Sequence, residues 1–128
     1  MFVADTTFLI DVARGLPEAD AVLAEIEASG ELLATTFISM VEFLRGNRHA
    51  PKARRVRGVE FMNRLVVLDG DVESARLAAQ ADEALSAKGT RVPLIDLLIA
   101  GIAIRVGGTI LTRDRDLQGV PGLAARPY

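Results

Sequence analysis

Short apolar runs alternate along the chain with longer segments in which apolar residues recur every three or four positions. The short runs predict β-strands and the longer segments predict helices, because side chains repeat every two residues in a strand and every 3.6 in a helix. The predicted strands are Phe2–Ala4, Leu32–Thr36, Leu65–Leu68, Thr109–Thr112 and a possible edge strand at Leu123–Arg126 beside Pro127. The predicted helices are Thr6–Ala13, Pro17–Ser29, Ser39–Arg48, Pro51–Arg64, one from the cap Asp71 to Lys88, and Leu94–Val106, with a turn at Asp114–Gly119.

This alternation predicts an α/β fold, specifically a three-layer sandwich with a central, mostly parallel sheet of about four or five strands. The crossover connections are expected to be right-handed. A length of 128 residues predicts a single domain over residues 1–128, able to bury a core without disulfides.

One charge interrupts the most apolar segment of the chain. Asp96 is the only charged residue in Val92–Ile104 (VPLIDLLIAGIAI), which is expected to be buried. A buried, ionised carboxylate costs several kcal/mol unless a positive charge meets it. The positive charge that meets Asp96 therefore belongs either to a nearby arginine, Arg91 or Arg105, or to a metal ion.

Composition narrows the possible chemistry. There is no Cys and a single His, His49, which argues against thiolate chemistry, a His-dependent zinc site and a nucleophile–His pair. The first residues reach Asp5 without a basic segment and so do not resemble a signal peptide. The apolar segment around Asp96 is too short to span a bilayer. We therefore expect a cytoplasmic protein without a membrane partner.

The charge is unevenly distributed although the net charge is only −2. Positive residues crowd one segment that contains no acid: Arg45, Arg48, Lys52, Arg54, Arg55 and Arg57. This basic segment could follow a phosphate backbone or could simply be a solvated helix face.

Five acids from distant parts of the chain are predicted to approach one crevice, since sites in open parallel sheets lie beyond the carboxyl ends of the strands. They are Asp5, Glu42, Asp96, Asp114 and Asp116. Acids crowded in this way raise one another's pKa and require cations. An all-oxygen ligand set favours Mg²⁺ or Mn²⁺.

Most of these acids also have an ordinary structural interpretation. Asp5 could be only a helix N-cap, and Glu42 completes a capping-box pattern with Ser39. Asp114 and Asp116 could be surface acids of a charged turn.

Other polar residues support the site or stay outside it. Thr6 and Thr112 could orient a carboxylate or serve as local caps. Solvated positions are predicted for Asp11, Glu25, Glu60, Asp82 and Glu83, with Asp11 in the same helix as the site.

The order and spacing of these motifs resemble a PIN-domain ribonuclease, in particular the VapC-type toxins of toxin–antitoxin pairs. The matching pieces cover nearly the whole length: Asp5-Thr6-Thr7 with Leu9-Ile10-Asp11, Glu42–Gly46, Asp96 with Ile99-Ala100 and Ala103, Thr112–Leu117, and Val120–Leu123.

The resemblance implies a Mg²⁺- or Mn²⁺-dependent endoribonuclease that cleaves RNA through a metal-activated water. It further implies a cognate VapB-like antitoxin that keeps the enzyme inactive, and it favours a homodimer. By carry-over, Asp5, Glu42 and Asp96 are metal-site acids. The fourth is Asp114 or Asp116, with Asp114 preferred because it is nearer the strand end and Asp116 in a supporting role. Candidate RNA contacts are Arg45, Arg113 and Arg115.

Two other function classes stay open at this point. A receiver-like phosphoacceptor domain would use Asp69 as the acceptor and Thr112 as the switch residue. That class typically has paired acids after the first strand and a lysine after a late strand, and this chain has neither. A non-catalytic interaction module would use the acids only as caps.

Overall fold

The centre of the molecule is a parallel β-sheet, seen in a computed structural model that describes residues 1–128. Its strands are β1 (Phe2–Ala4), β2 (Leu33–Thr36), β3 (Val66–Leu68), β4 (Thr109–Leu111) and β5 (Ala124–Arg126). They are ordered β3-β2-β1-β4-β5, and each neighbouring pair is parallel. The predicted parallel sheet is confirmed, and the possible fifth strand is present at its edge, where Pro127 follows the strand rather than interrupting it.

Seven helices connect and cover these strands. They are α1 (Thr6–Arg14), α2 (Pro17–Ser29), α3 (Phe37–Asn47), α4 (Lys52–Asn63), α5 (Val72–Ala87), α6 (Leu94–Arg105) and α7 (Arg115–Gln118). The short α7 occupies the segment that was predicted to be a turn. No helix combines the length and the apolar character needed to span a bilayer.

Two hydrophobic clusters make the fold a three-layer sandwich, as predicted. One contains Phe8, Ile26 and Phe61 from α1, α2 and α4. The other contains Leu85 of α5 and Ile99 of α6. Each layer of helices therefore buries its apolar face against one side of the sheet.

The register of the strands brings three chain segments to the same edge of the sheet. Ala4, the last residue of β1, pairs with Thr35 of β2 and with Leu111 of β4. The residues that follow these strands, including Asp5 and Thr112, therefore emerge side by side at the carboxyl edge.

The apolar helix that carries Asp96 is less buried at its start than the sequence suggested. Leu94 is 68% exposed and Ile95 is 44% exposed, whereas Leu97 and the residues that follow it pack into the core. The expectation that the whole segment is buried was wrong for its first turn. The apolar residues of this turn contribute to the surface of the molecule.

Candidate metal centre

Three of the five predicted acids come together in one small group. Carboxylate oxygens of Asp96, Asp114 and Asp116 lie within 4.8 Å of one another. Two ligands of a single Mg²⁺ lie at most about 4.2 Å apart, since each sits about 2.1 Å from the ion. Small side-chain rotations would therefore suffice for one ion to bind all three, and a set of carboxylate oxygens is the chemistry that Mg²⁺ or Mn²⁺ prefers.

Local structure explains how the three acids meet. Asp96 is in the first turn of α6, and Asp114 is the N-cap of α7, where its Oδ1 accepts a 2.8 Å hydrogen bond from the Asp116 backbone N–H. Asp114 and Asp116 are therefore held on one short turn that faces the start of α6.

Asp96 lies in a partly buried and strongly negative environment. Burial, and then the negative charges of Asp114, Glu42, Asp116 and Asp5, raise its pKa from 3.8 to about 6. None of the ion pairs in the molecule includes Asp96, and Arg105 pairs instead with Asp71. A structural Arg partner for Asp96 is therefore excluded.

Asp5 is a helix cap and also a neighbour of the cluster. Its Oδ1 accepts hydrogen bonds from Thr7 Oγ1 at 2.7 Å and from the Phe8 backbone N–H at 3.1 Å, and its Oδ2 accepts one from Thr112 Oγ1. Burial raises its pKa, and these hydrogen bonds oppose the rise. Asp5 lies outside the group of three, but its charge still acts on Asp96.

Glu42 does not take part in a capping box. The N-cap of α3 is Thr36, whose Oγ1 accepts a 3.0 Å hydrogen bond from the Ser39 backbone N–H, so α3 begins earlier than predicted. The exposed Glu42 carboxylate instead accepts a 2.7 Å hydrogen bond from Thr6 Oγ1. It borders the cluster closely enough to raise the pKa of Asp96.

The two predicted threonines hold carboxylates in place. Thr6 binds Glu42. Buried Thr112 donates to Asp5 and accepts a 2.9 Å hydrogen bond from the Asp114 backbone N–H. Thr112 thus joins the acid after β1 to the acid after β4.

The candidate RNA-binding arginines lie in different settings. Arg45 is exposed and lines a polar cleft with Glu42, Gly46, Arg48 and His49. Arg115 is exposed on α7 and forms no ion pair. The Arg113 guanidinium, in contrast, is held by Asp11, at 2.8 Å from Nε to Oδ2 and 2.8 Å from Nη2 to Oδ1.

Sequence reasoning misread Asp11, whose side chain is 2% exposed. It was expected to be solvated, but it is buried and bonded to both Arg113 and Tyr128. The helical spacing indicated that Asp11 is buried, because Asp11 lies three residues after Phe8 and directly before Val12, and both of these residues face the core.

The phosphoacceptor alternative was wrong. Asp69 follows β3 at the edge of the sheet, two strands away from β1, and it is exposed. Its backbone carbonyl accepts a hydrogen bond from Arg105. Thr112, the supposed switch residue, is instead buried and bonded to Asp5.

Comparison with known proteins agrees with this arrangement. The family model of the PIN domain matches residues 2–123. The tRNA(fMet)-specific endonuclease VapC of Salmonella typhimurium is 29% identical over 125 residues, which cover 95% of this chain and 93% of the relative. Ribonuclease VapC19 of Mycobacterium tuberculosis is 30% identical over 114 residues, covering 89% of each chain.

Solved structures have the same fold. A chain of DNA-bound VapBC from Salmonella typhimurium superposes with a TM-score of 0.82 at 28% identity, covering 98% of this chain and 96% of that one. A chain of VapBC2 from Rickettsia felis, bound to a promoter DNA fragment, gives 0.84 at 21% identity, covering 99% and 98%. At that lower identity the likeness concerns the fold alone.

Proposed function

We propose, from the premise that this chain belongs to the PIN domain family, that it is a metal-dependent endoribonuclease and the toxin of a type II toxin–antitoxin pair. The observation that carries the proposal is the group formed by Asp96, Asp114 and Asp116, in a chain whose relatives are named VapC ribonucleases. Burial and four neighbouring acids also raise the pKa of Asp96, and perturbed acids of this kind cluster at functional sites.

Each acid has a distinct part in this proposal. Asp96, Asp114 and Asp116 would hold Mg²⁺ or Mn²⁺, which when bound supplies Lewis-acid activation of water and of the scissile phosphate. Glu42, which is exposed and accepts a hydrogen bond from Thr6, would accept a proton during the reaction. Asp5 would fix Thr112 and add negative charge, and its Oδ2 accepts only one hydrogen bond, so a lone pair is left with which it would also bind the ion.

The acid cluster contains no cysteine or histidine that could act as a nucleophile. There is no cysteine, and the single histidine, His49, accepts a 3.0 Å hydrogen bond from Arg48 on an exposed surface. Hydrolysis by an activated water is therefore the reaction that this set of residues supports.

The test is RNA cleavage by the purified protein. Cleavage should require Mg²⁺ or Mn²⁺ and stop when a chelator is added. Asp96→Asn should reduce the rate by about a hundredfold or more, since even the loss of a partner outside the ligand sphere costs a metal site about 10- to 100-fold. Glu83→Gln, which removes an exposed acid of α5 outside the cluster, is the matched control and should cleave normally. Robust cleavage by Asp96→Asn would remove the assigned role and point to a contaminating nuclease.

The basic segment is proposed to bind RNA phosphates. Arg45, Arg48, Lys52, Arg54, Arg55 and Arg57 form no ion pairs within the molecule. Arg45 lies one turn beyond Glu42 on α3, so a strand that leaves the metal centre along α3 meets it first. Arg115, on α7, is a second candidate contact. Arg113 is a poorer one, because its guanidinium is already engaged by Asp11.

A salt titration tests this contact surface. RNA affinity should fall with added salt, and Arg45→Ala should make that dependence shallower by about one phosphate contact. Arg76→Ala, an exposed cation of α5, is the control and should leave the slope unchanged. Equal salt dependence for the wild type, Arg45→Ala and Arg76→Ala would argue against a phosphate contact at Arg45.

Two protein partners are also proposed. The first is a VapB-like antitoxin, suggested by the solved relatives, which are VapBC complexes. Production of this chain in bacteria should arrest growth, and co-production of the antitoxin encoded in the adjacent reading frame should relieve the arrest. A cytoplasmic location is proposed on the same grounds.

The second partner is another copy of the chain. Exposed apolar side chains lie on α3 and α6, the helices that carry Glu42 and Asp96, and on α5. We name them the apolar surface: Phe37, Val41 and Leu44 of α3, Val72 of α5, and Leu94 and Ile95 of α6. Exposed apolar groups of this kind mark interaction sites, and a homodimer would bury them.

A further inference from the structure

Behind the metal centre lies a buried charged group that the proposed chemistry does not use. Asp11 is on α1, and its carboxylate accepts three hydrogen bonds: from Arg113 Nε at 2.8 Å, from Arg113 Nη2 at 2.8 Å and from Tyr128 Oη at 2.7 Å. A buried carboxylate contributes little net stability, because the cost of desolvation offsets its attraction to the cation. Its presence therefore calls for another explanation.

Tyr128 completes this group from the far end of the chain. Its ring packs edge-on against Phe8 with the centroids 5.2 Å apart, and the Arg113 guanidinium lies 5.9 Å from its centroid. Burial and the hydrogen bond to Asp11 raise the pKa of the Tyr128 hydroxyl, so it stays protonated and donates. The ring and the hydroxyl together restrict the position of the Arg113 side chain.

Arg113 connects this group to the metal centre, because it directly precedes Asp114. Its backbone N–H donates to Thr7 Oγ1 at 3.2 Å, and Thr7 donates in turn to Asp5. The segment that carries Asp114 is thus attached to α1 through both the backbone and the side chain of Arg113.

We propose that Asp11, Arg113 and Tyr128 form a brace that positions Asp114 for metal binding, so that Asp11 and Tyr128 are positioning residues for the metal centre. The inference rests on the proposed function, since it assumes that Asp114 is a metal ligand. The brace acts on metal affinity and not on the reaction itself, because none of its three side chains belongs to the acid cluster.

The experiment compares Asp11→Asn and Tyr128→Phe with the wild-type protein in calorimetric titrations with Mg²⁺, without RNA. Asp11→Asn should weaken Mg²⁺ binding by about tenfold or more, the range expected when a partner outside the ligand sphere is lost. Tyr128→Phe keeps the ring on Phe8 and removes only the hydroxyl, so it should weaken binding in the same direction by a smaller factor. In cleavage assays both variants should need more Mg²⁺ for half-maximal rate and should recover most of the wild-type rate at saturating Mg²⁺.

Glu25→Gln is the matched control. It removes another Arg–carboxylate pair, Arg126 with Glu25 at 2.6 Å, on an exposed part of α2. This variant should leave Mg²⁺ affinity unchanged.

A brace with only a structural role would give a different result. Asp11→Asn and Tyr128→Phe would then lower the melting temperature while binding Mg²⁺ as tightly as Glu25→Gln does, and this result would overturn the proposal. If Asp11→Asn fails to fold, the Mg²⁺ affinity of Tyr128→Phe decides between the positioning role and the purely structural role. Because calorimetry does not depend on cleavage, a protein that binds Mg²⁺ but leaves RNA intact would contradict the proposed function and still test the brace.

Discussion

At the scale of single residues, Asp96 determines most of the behaviour that can be measured without RNA. Its carboxylate is half-buried, and this burial, followed by the negative charges of four other acids, raises its pKa to about 6. An acid with a raised pKa is held ionised at a cost to the folded state. A bound divalent cation would reverse the sign of this interaction, so stability and metal binding should be coupled.

The stability of the metal-free protein should therefore depend on pH through Asp96. Between pH 3.8 and about 6 the folded protein keeps a proton that the unfolded chain has released. Stability should fall as the pH rises through this interval, and the loss should be complete above it. Asp96→Asn should be more stable than the wild type at pH 7, by about 1 kcal/mol once solvent screening of the half-exposed carboxylate is included, and equally stable near pH 4.

Chemical denaturation at the two pH values measures this difference, with Glu83→Gln as the exposed control. Added Mg²⁺ should raise the melting temperature of the wild type and leave that of Asp96→Asn nearly unchanged, because only the wild type gains from binding in the folded state. A destabilised Asp96→Asn variant at pH 7 would contradict the account of its electrostatics.

At the scale of elements, the close packing of α5 on α6 fixes the helix that carries Asp96. A Cβ at Gly101 of α6 would lie 2.3 Å from the Ser74 backbone carbonyl oxygen and 3.0 Å from the Ala78 Cβ of α5. The two helices can approach this closely only because residue 101 has no side chain.

Gly101→Ala should therefore push α6 away from α5 and cost about 1–3 kcal/mol, the usual effect of overpacking a core. Gly46→Ala is the control, since a Cβ there meets nothing within 4 Å and the site is helical. That change should stabilise the protein by up to about 1 kcal/mol through helix propensity. Denaturant titrations measure both, and a neutral Gly101→Ala would show that the helices can separate without cost.

At the scale of the whole molecule, two residues of the apolar surface are sequence neighbours of acids at the metal centre. Ile95 directly precedes Asp96, and Val41 directly precedes Glu42. Val72 and Leu94 are 69% and 68% exposed, a degree of exposure that association would remove. A dimer formed through this surface would place two metal centres near the interface.

Val41→Glu should therefore shift the protein from dimer to monomer, because a charge buried in an apolar interface is left without a partner. Val56→Glu, which alters an exposed valine of α4 outside the apolar surface, should leave the dimer intact. Analytical ultracentrifugation over a range of concentrations measures this. A wild-type protein that stays monomeric throughout would refute the homodimer.

The sequence by itself determined the α/β class, the parallel sheet and the importance of Asp96 as a lone charge in an apolar helix. These features depend on local periodicity, which specifies which face of each strand or helix is apolar. The tertiary structure alone decided which acids meet, because that depends on the order of strands and on where each helix begins. Thr36 and Ser39 are both able to cap α3, and the position of β2 selected Thr36, which freed Glu42 to bind Thr6. The spacing of Asp11 from Phe8 indicated the buried face of α1, but its partners Arg113 and Tyr128 lie about a hundred residues away and leave no local pattern.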